Sequence, residues 1–221
     1  MDASAALGGF RFTQRLSHAA RQELDQSLMT VDVAERKTLI RRGDKVAGAY
    51  LVLEGVLRIY NIDARGREAT LYSVEPHDAC IFAMNCAFND LRYPAWVENE
   101  EAPTRLAVIP SLSYRKLHEL DPAVRGFTFD VLSSRIFDLM NTIEEMATLD
   151  MEQRLASFLT RKCNEQGVVT TSHAKIAANL GTAREVVTRH LRQLESRGLI
   201  ETSRGEIRIF DPVVLAARAE S

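Results

Sequence analysis

Apolar and polar positions follow three different periods along the chain. Between about Thr38 and Ile109, short apolar runs (Tyr50-Leu51-Val52-Leu53, Val56-Leu57-Arg58-Ile59-Tyr60, Leu106-Ala107-Val108-Ile109) alternate with Arg42-Gly43-Asp44, Glu54-Gly55 and Asp63-Ala64-Arg65-Gly66. Runs of this length between turn signals predict strands, and their close spacing predicts a barrel or roll. From Asp121-Pro122 to about Leu149 the period lengthens. Phe129, Leu132, Ile136, Leu139, Ile143 and Met146 step by 3, 4, 3, 4 and 3, an a/d seam along one helix. Asp121 suits its N-cap and Pro122 its first turn. Past Asp150 the pattern shortens again and predicts a helical domain ending in a hairpin. Its helices run over Met151 to Cys163, about Ser172 to Leu180 and about Ala183 to Ser196. Two short apolar runs, Leu199-Ile200-Glu201 and Ile207-Arg208-Ile209-Phe210, then flank Ser203-Arg204-Gly205.

A seam of this kind packs either on its own domain or against a second copy. It continues for about three heptads, and Asp130, Asp138, Glu144 and Glu145 lie off it. That favours a two-stranded coiled coil, and so a homodimer.

The 221 residues suffice for two cores. No apolar run approaches the roughly 18 residues that span a bilayer. Met1 to Phe10 lacks the basic and apolar stretches of a signal peptide, so a cytoplasmic, membrane-free protein is expected. Three cysteines, Cys80, Cys86 and Cys163, make no disulfide framework and suit a reducing compartment. The net charge of -2 hides an asymmetry. Residues 1–150 carry 17 Lys/Arg against 22 Asp/Glu, whereas residues 151–221 carry 11 against 8. A basic tail points toward nucleic acid.

The tail also carries the most specific chemistry. Ile176, Ala177 and Leu180 give one short helix an inner face, and Val187, Leu191 and Leu194 give the next one its own, with Gly181 between them. Two helices joined through a tight glycine turn form a helix-turn-helix. Arg184, Glu185, Thr188, Arg189 and Arg192 are left on the outer side, where the start of a recognition helix meets base edges. Arg donates twice to guanine and Glu accepts from cytosine. Thr171, Ser172 and Thr182 are placed to donate to phosphates, and the Arg204-Gly205 turn to follow the backbone as a wing. Double-stranded DNA is therefore the expected partner.

These residues resemble the cyclic-AMP receptor protein and fumarate–nitrate reductase regulator (CRP/FNR) family. Arg184-Glu185-Val186-Val187-Thr188-Arg189 matches its recognition-helix pattern, Arg-Glu-x-x-small-Arg. Leu149 to Ala156 is similar to its hinge and first DNA-domain helix, and the segment Leu39 to Tyr72 to its β-roll. The resemblance implies an α+β architecture. It would have a cyclic-nucleotide-binding-like β-roll sensor over residues 1–121, a dimerisation helix and hinge over 122–150, and a winged helix-turn-helix over 151–221. It also implies base reading by Arg184, Glu185 and Arg189 on a pseudo-palindrome with half-sites like TGTGA or a TTG-containing relative, and RNA polymerase as a partner.

The sensor departs from the family pattern. Nucleotide-binding members have a Gly-Glu pair opening a short helix, then Arg followed by Ser or Thr. Here the matching stretch, Pro76 to Cys86, has no Gly-Glu, and Tyr93-Pro94 stands where Arg-Ser belongs, with Arg92 one place early. A standard cyclic-nucleotide site is not expected. A four-cysteine iron–sulfur cluster is excluded by the cysteine count. Haem on Cys80 or His77, thiol oxidation between Cys80 and Cys86, and an uncharged or apolar effector near Ile81-Phe82-Ala83-Met84 stay open, as does plain core packing of the two thiols. A signalling module acting through protein contacts is the alternative to a DNA-reading regulator. No nucleophile elbow, phosphate-binding glycine loop or metal-spaced His/Cys set supports an enzyme.

Overall fold

The computed structural model describes residues 6–100 and 102–219. The chain divides into two compact units, Met1–Asn61 with Leu71–Phe137, and Ile62–Thr70 with Asp138–Ser221.

The first unit opens with a 3-10 turn, Arg11–Arg15, and helix α1, His18–Ser27. Seven strands follow: β1 (Met29–Val33), β2 (Thr38–Ile40), β3 (Gly48–Glu54), β4 (Leu57–Ile62), β5 (Glu68–Val74), β6 (Trp96–Asn99) and β7 (Thr104–Pro110). They form two antiparallel sheets, ordered β1-β7-β3 and β2-β6-β4-β5. The β4–β5 turn is built by Asp63, whose carboxylate accepts the Arg65 and Arg67 amides. Helix α2 (Ile81–Asn89) interrupts the strands, and α3 (Ser111–Leu120) follows them. One core joins α1, α3 and the start of the long helix to sheet β1-β7-β3 through Leu24, Leu51, Ile109, Tyr114, Leu117 and Val124. A second fills the roll with Val52, Leu57, Ile59, Cys80, Tyr93 and Val97.

The roll thus starts earlier than its apolar runs suggest. β1 is a plain alternation, Met-Thr-Val-Asp-Val, paired along its length with β7 from Met29↔Val108 to Val33↔Thr104. The helical segments α1, α2 and α3 also lie within the stretch expected to form the roll.

Helix α4 spans Pro122–Thr148 as one uninterrupted element, matching the predicted range. Asp121 starts it. One carboxylate oxygen accepts the Ala123 amide at 2.8 Å, and the other accepts the Ser17 amide at 2.8 Å, at the start of α1. Burial alone would raise the Asp121 pKa, but the bonds from Ser17 and Ala123, with Arg125 nearby, outweigh it and hold the carboxyl below its ordinary value of 3.8. A depressed carboxyl stabilises the fold above its unfolded pKa, and that contribution fades as pH falls through the folded value. Asp121→Ala is therefore expected to cost about 1–2 kcal/mol at neutral pH. The gap from the parent should close in urea melts taken below pH 4.

In the second unit, α5 (Met151–Lys162) begins with a capping box in which Asp150 and Gln153 exchange bonds. Then come β8 (Val168–Thr170), α6 (His173–Leu180), α7 (Arg184–Ser196), β9 (Ile200–Ser203), β10 (Glu206–Ile209) and α8 (Pro212–Ala219). The three strands make one antiparallel sheet ordered β8-β10-β9. The expectation of a domain ending in a hairpin is corrected at both sides of that hairpin. β8 adds a third strand, and α8 follows it, with Leu215 fully buried among Leu155, Leu159, Val187, Leu191 and Leu194.

Candidate nucleic-acid interface

The helix pair is set by its glycine and its buried faces. Gly181 closes α6 with φ 64°, a conformation that glycine adopts without a Cβ clash. Its neighbour Leu180 turns its carbonyl to the Arg154 guanidinium of α5 at 2.7 Å. A cation at the C-terminal end of α6 also suits the helix dipole. Ile176, Ala177 and Leu180 of α6 and Val187, Leu191 and Leu194 of α7 are all buried, as their spacing predicted.

That packing leaves the other side of α7 in solvent. Arg184, Glu185, Arg189 and Arg192 are exposed, and with Thr188, Gln193 and Ser196 they line a shallow groove of about 560 Å³. Three guanidiniums flank one carboxylate, all on the face opposite the buried Val187–Leu191–Leu194 stripe. Gln193 and Ser196 extend the predicted outer set of Arg184, Glu185, Thr188, Arg189 and Arg192; their place on the same face was the available signal.

The Thr188 hydroxyl is engaged within the helix pair. It donates to the Arg184 carbonyl at 2.9 Å, so the hydroxyl proton is spent. His173, at the first turn of α6, lies with Nδ1 2.9 Å from the same oxygen and must therefore donate to it. The Thr188 methyl and one oxygen lone pair remain for a partner, with no proton left to donate. His173 was not among the residues singled out from the sequence, because the bond joins positions fifteen apart. His173→Ala removes this tie, and specific DNA affinity is expected to fall about 3- to 10-fold. His173→Asn, which keeps a donor, should restore much of it. A competition assay on one duplex compares the three proteins.

The predicted phosphate contacts fall around α6 and the wing. Ser172 caps α6 by accepting the Lys175 amide at 3.2 Å, which leaves its own proton to donate. Thr171 is held by its amide to the Gly205 carbonyl at 2.9 Å, placing the α6 start beside the β9–β10 turn. Thr182 is partly buried in the turn after Gly181, and Arg204 is exposed at the wing tip, where Gly205 has φ 84°. Glu195 fastens the wing to α7 by accepting both the amide and the hydroxyl of Thr202 at 2.9 Å. These bonds hold its carboxyl below the ordinary range.

Of the sensor candidates, Cys80, Cys86 and Tyr93 come together in the roll core, whereas His77 and Arg92 are exposed and stand apart from it. His77 is exposed, with its ring edge-on to Phe10 at 5.9 Å. Cys80 is buried in the roll core, its Sγ 3.1 Å from the Tyr93 hydroxyl. His77 and Cys80 thus belong to different packing clusters and do not converge as a ligand pair. Tyr93 is a core residue, 1% exposed, and burial pushes its phenol strongly up. Arg92 is exposed and donates to the Gly43 carbonyl at 2.9 Å, so it does not stand in for a phosphate-binding arginine inside the roll. Cys86 is buried in α2, and burial raises its thiol, as does neighbouring Cys80. A high thiol pKa leaves little reactive thiolate. The Pro76–Cys86 and Arg92–Pro94 stretches therefore do not fit a cyclic phosphate.

The six seam residues of α4 are all solvent-exposed. Phe129 is 70% exposed, Leu132 38%, Ile136 57%, Leu139 58%, Ile143 55% and Met146 56%. Phe137 and Met140, which the heptad does not include, are exposed beside them. So large an apolar stripe on one helix marks an interaction surface.

Comparison with known proteins agrees with this architecture. The profile of the Crp-like helix-turn-helix domain matches residues 153–218, and that of the cyclic nucleotide-binding domain matches residues 30–121. The Global nitrogen regulator of Synechococcus elongatus is 27% identical over 190 residues, 81% of this chain and 85% of that protein. The transcriptional regulator SdrP of Thermus thermophilus is 28% identical over 181 residues, 78% and 84% of the two chains. A solved Crp/Fnr-family transcriptional regulator of Eubacterium rectale superposes with a TM-score of 0.86 at 29% identity, covering 97% of this chain and all of that one. Among the described residues no helix is long and apolar enough to cross a membrane. With a sensor-type β-roll in front and a DNA-binding helix-turn-helix behind, in the order and over the lengths of these regulators, the chain belongs to the CRP/FNR family of transcription regulators.

Proposed function

We propose that this chain is a homodimeric, sequence-specific regulator whose α7 helices enter successive major grooves. The observation that carries the reading is the outer face of α7, where Arg184, Glu185, Arg189 and Arg192 stand in solvent over a fully packed inner face. Arg184 and Arg189 read guanines and Glu185 a cytosine. Thr171, Ser172, Thr182 and Arg204 contact phosphates and fix the register. The Thr188 methyl meets a thymine methyl. Pairing of α4 along Phe129, Leu132, Ile136, Leu139, Ile143 and Met146 covers the apolar stripe. It sets the two recognition helices about 34 Å apart on a pseudo-palindrome. Residues 1–121 act as sensor, 122–150 as dimerisation helix and hinge, and 151–221 as reader. The protein works in the cytoplasm with RNA polymerase, and its signal is not a standard cyclic nucleotide.

The test is selection of duplexes from a random pool by the full-length protein, followed by titration of the winner. A two-fold symmetric consensus with half-site centres one helical turn apart is expected, bound by a dimer. Affinity should fall steeply as salt rises. Retention of random duplexes without a consensus would remove the reading.

A further inference from the structure

The interior of the roll is not completely filled. A cavity of about 250 Å³ lies between the two sheets, lined by Met29, Val31, Val33 and Leu106 from one side and Ile40, Leu57 and Val97 from the other. Met29 and Val31 stand at its rim, 48% and 43% exposed, so the space opens to solvent past β1. Among the described residues no charged side chain lines it, and the lining side chains that carry a polar group are Tyr50 and Cys80. Burial raises the Tyr50 phenol above its ordinary value, with a backbone group of Ala47 offsetting part of the shift. Tyr50 thus brings one hydroxyl to an otherwise apolar lining.

We infer that this cavity is the sensor's ligand site and takes a small uncharged organic molecule, chiefly hydrocarbon with one acceptor oxygen. The inference deepens the sensor half of the proposed function and rests on it. Three features select this class. An ionised ligand would leave water for a space with no countercharge, which costs far more than the space returns. An apolar cavity of about 150 Å³ already takes a benzene-sized guest, so 250 Å³ takes a substituted benzene. The single Tyr50 donor suits one carbonyl or ether oxygen, and a ligand lacking it leaves that donor unsatisfied.

The site is also placed to be felt by the long helix. Cys80 lines the cavity, and its Sγ lies 3.7 Å from the Tyr72 hydroxyl. The Tyr72 ring lies under the Arg135 guanidinium of α4, 5.1 Å from its centroid, and Arg135 is ion-paired with Asp78. A guest pressing on Cys80 therefore acts on a group in contact with α4 within the same compact unit.

The test titrates the full-length protein with acetophenone, benzoate and ethylbenzene, which are close in size, by ligand-observed NMR and calorimetry. Acetophenone is expected to bind saturably, and benzoate about tenfold or more weaker. Tyr50→Phe should weaken acetophenone roughly fivefold while leaving ethylbenzene unchanged. Val108→Phe, which places a ring in the cavity, should abolish binding of both neutral molecules. Should that variant fold poorly by thermal melt, Tyr50→Phe still decides. Benzoate binding as tightly as acetophenone, no saturable binding of either neutral probe, or equal loss of acetophenone and ethylbenzene in Tyr50→Phe would overturn the inference. None of these readouts uses DNA. Intact operator binding with no ligand therefore sinks this site alone, and ligand binding without operator binding sinks the regulator reading alone.

Discussion

Arg184→Ala should lower affinity for the selected operator about 10- to 100-fold, that is by about 1–3 kcal/mol, and relax the preference at a single base pair in each half-site. The side chain is exposed at the first position of α7, and its backbone carbonyl already serves Thr188. Removing the guanidinium therefore leaves the helix and its packing unchanged. The loss should be confined to specific DNA, because a base contact vanishes while the phosphate contacts stay. Arg189→Ala should behave alike at a neighbouring base. Arg189→Lys should recover little, since an ammonium cannot reproduce the two parallel donors of the guanidinium. Binding measured on the operator and on a scrambled duplex at one salt concentration decides. Equal losses on both would reassign Arg184 to the phosphate backbone.

Ile143→Asp should convert the dimer to monomer and weaken operator binding at least about 100-fold. Ile143 is 55% exposed on α4, so a carboxylate there costs the isolated fold little. Against a second copy it would be buried without a partner, beside its own symmetry mate, which a coiled-coil seam does not tolerate. The second half-site then no longer binds intramolecularly, and most of the affinity goes with it. Sedimentation equilibrium gives the mass, and a half-site duplex gives the intrinsic affinity. The variant should bind the half-site as well as the parent does. A variant that stays dimeric would show that the stripe has another occupant.

The parts of this molecule that repeat with a period were legible in its residues. The 3-4 spacing of α4 and the two apolar faces around Gly181 define helices from local information, and the structure places all of them where the spacing does. Elements whose stability comes from distant partners were not. β8 is three residues long and exists because Val168, Val169 and Thr170 pair with Arg208, Ile207 and Glu206. Among the described side chains of helix α8, Leu215 is the one buried in the core of its domain. β1 alternates along Met29–Val33 without a continuous apolar run, the feature that marks the other strands of the roll. In the candidate site, exposure of Arg184, Glu185 and Arg189 followed from the helix face. The fate of the Thr188 hydroxyl depended on His173 and could not be read from spacing. The cavity in the roll is a property of side-chain volumes meeting across two sheets, which no pattern along one strand encodes.

The spent hydroxyl of Thr188 has a consequence for chemical modification of the operator. A threonine with no proton to donate cannot read the acceptor atoms of a base edge, and its methyl is left to sense the bump at carbon 5. Cytosine methylated at that carbon carries the same bump as thymine. Enzymatic methylation of a promoter would then change what this helix perceives without altering the genetic letter, and a fully methylated site would look to Thr188 like a T-containing one.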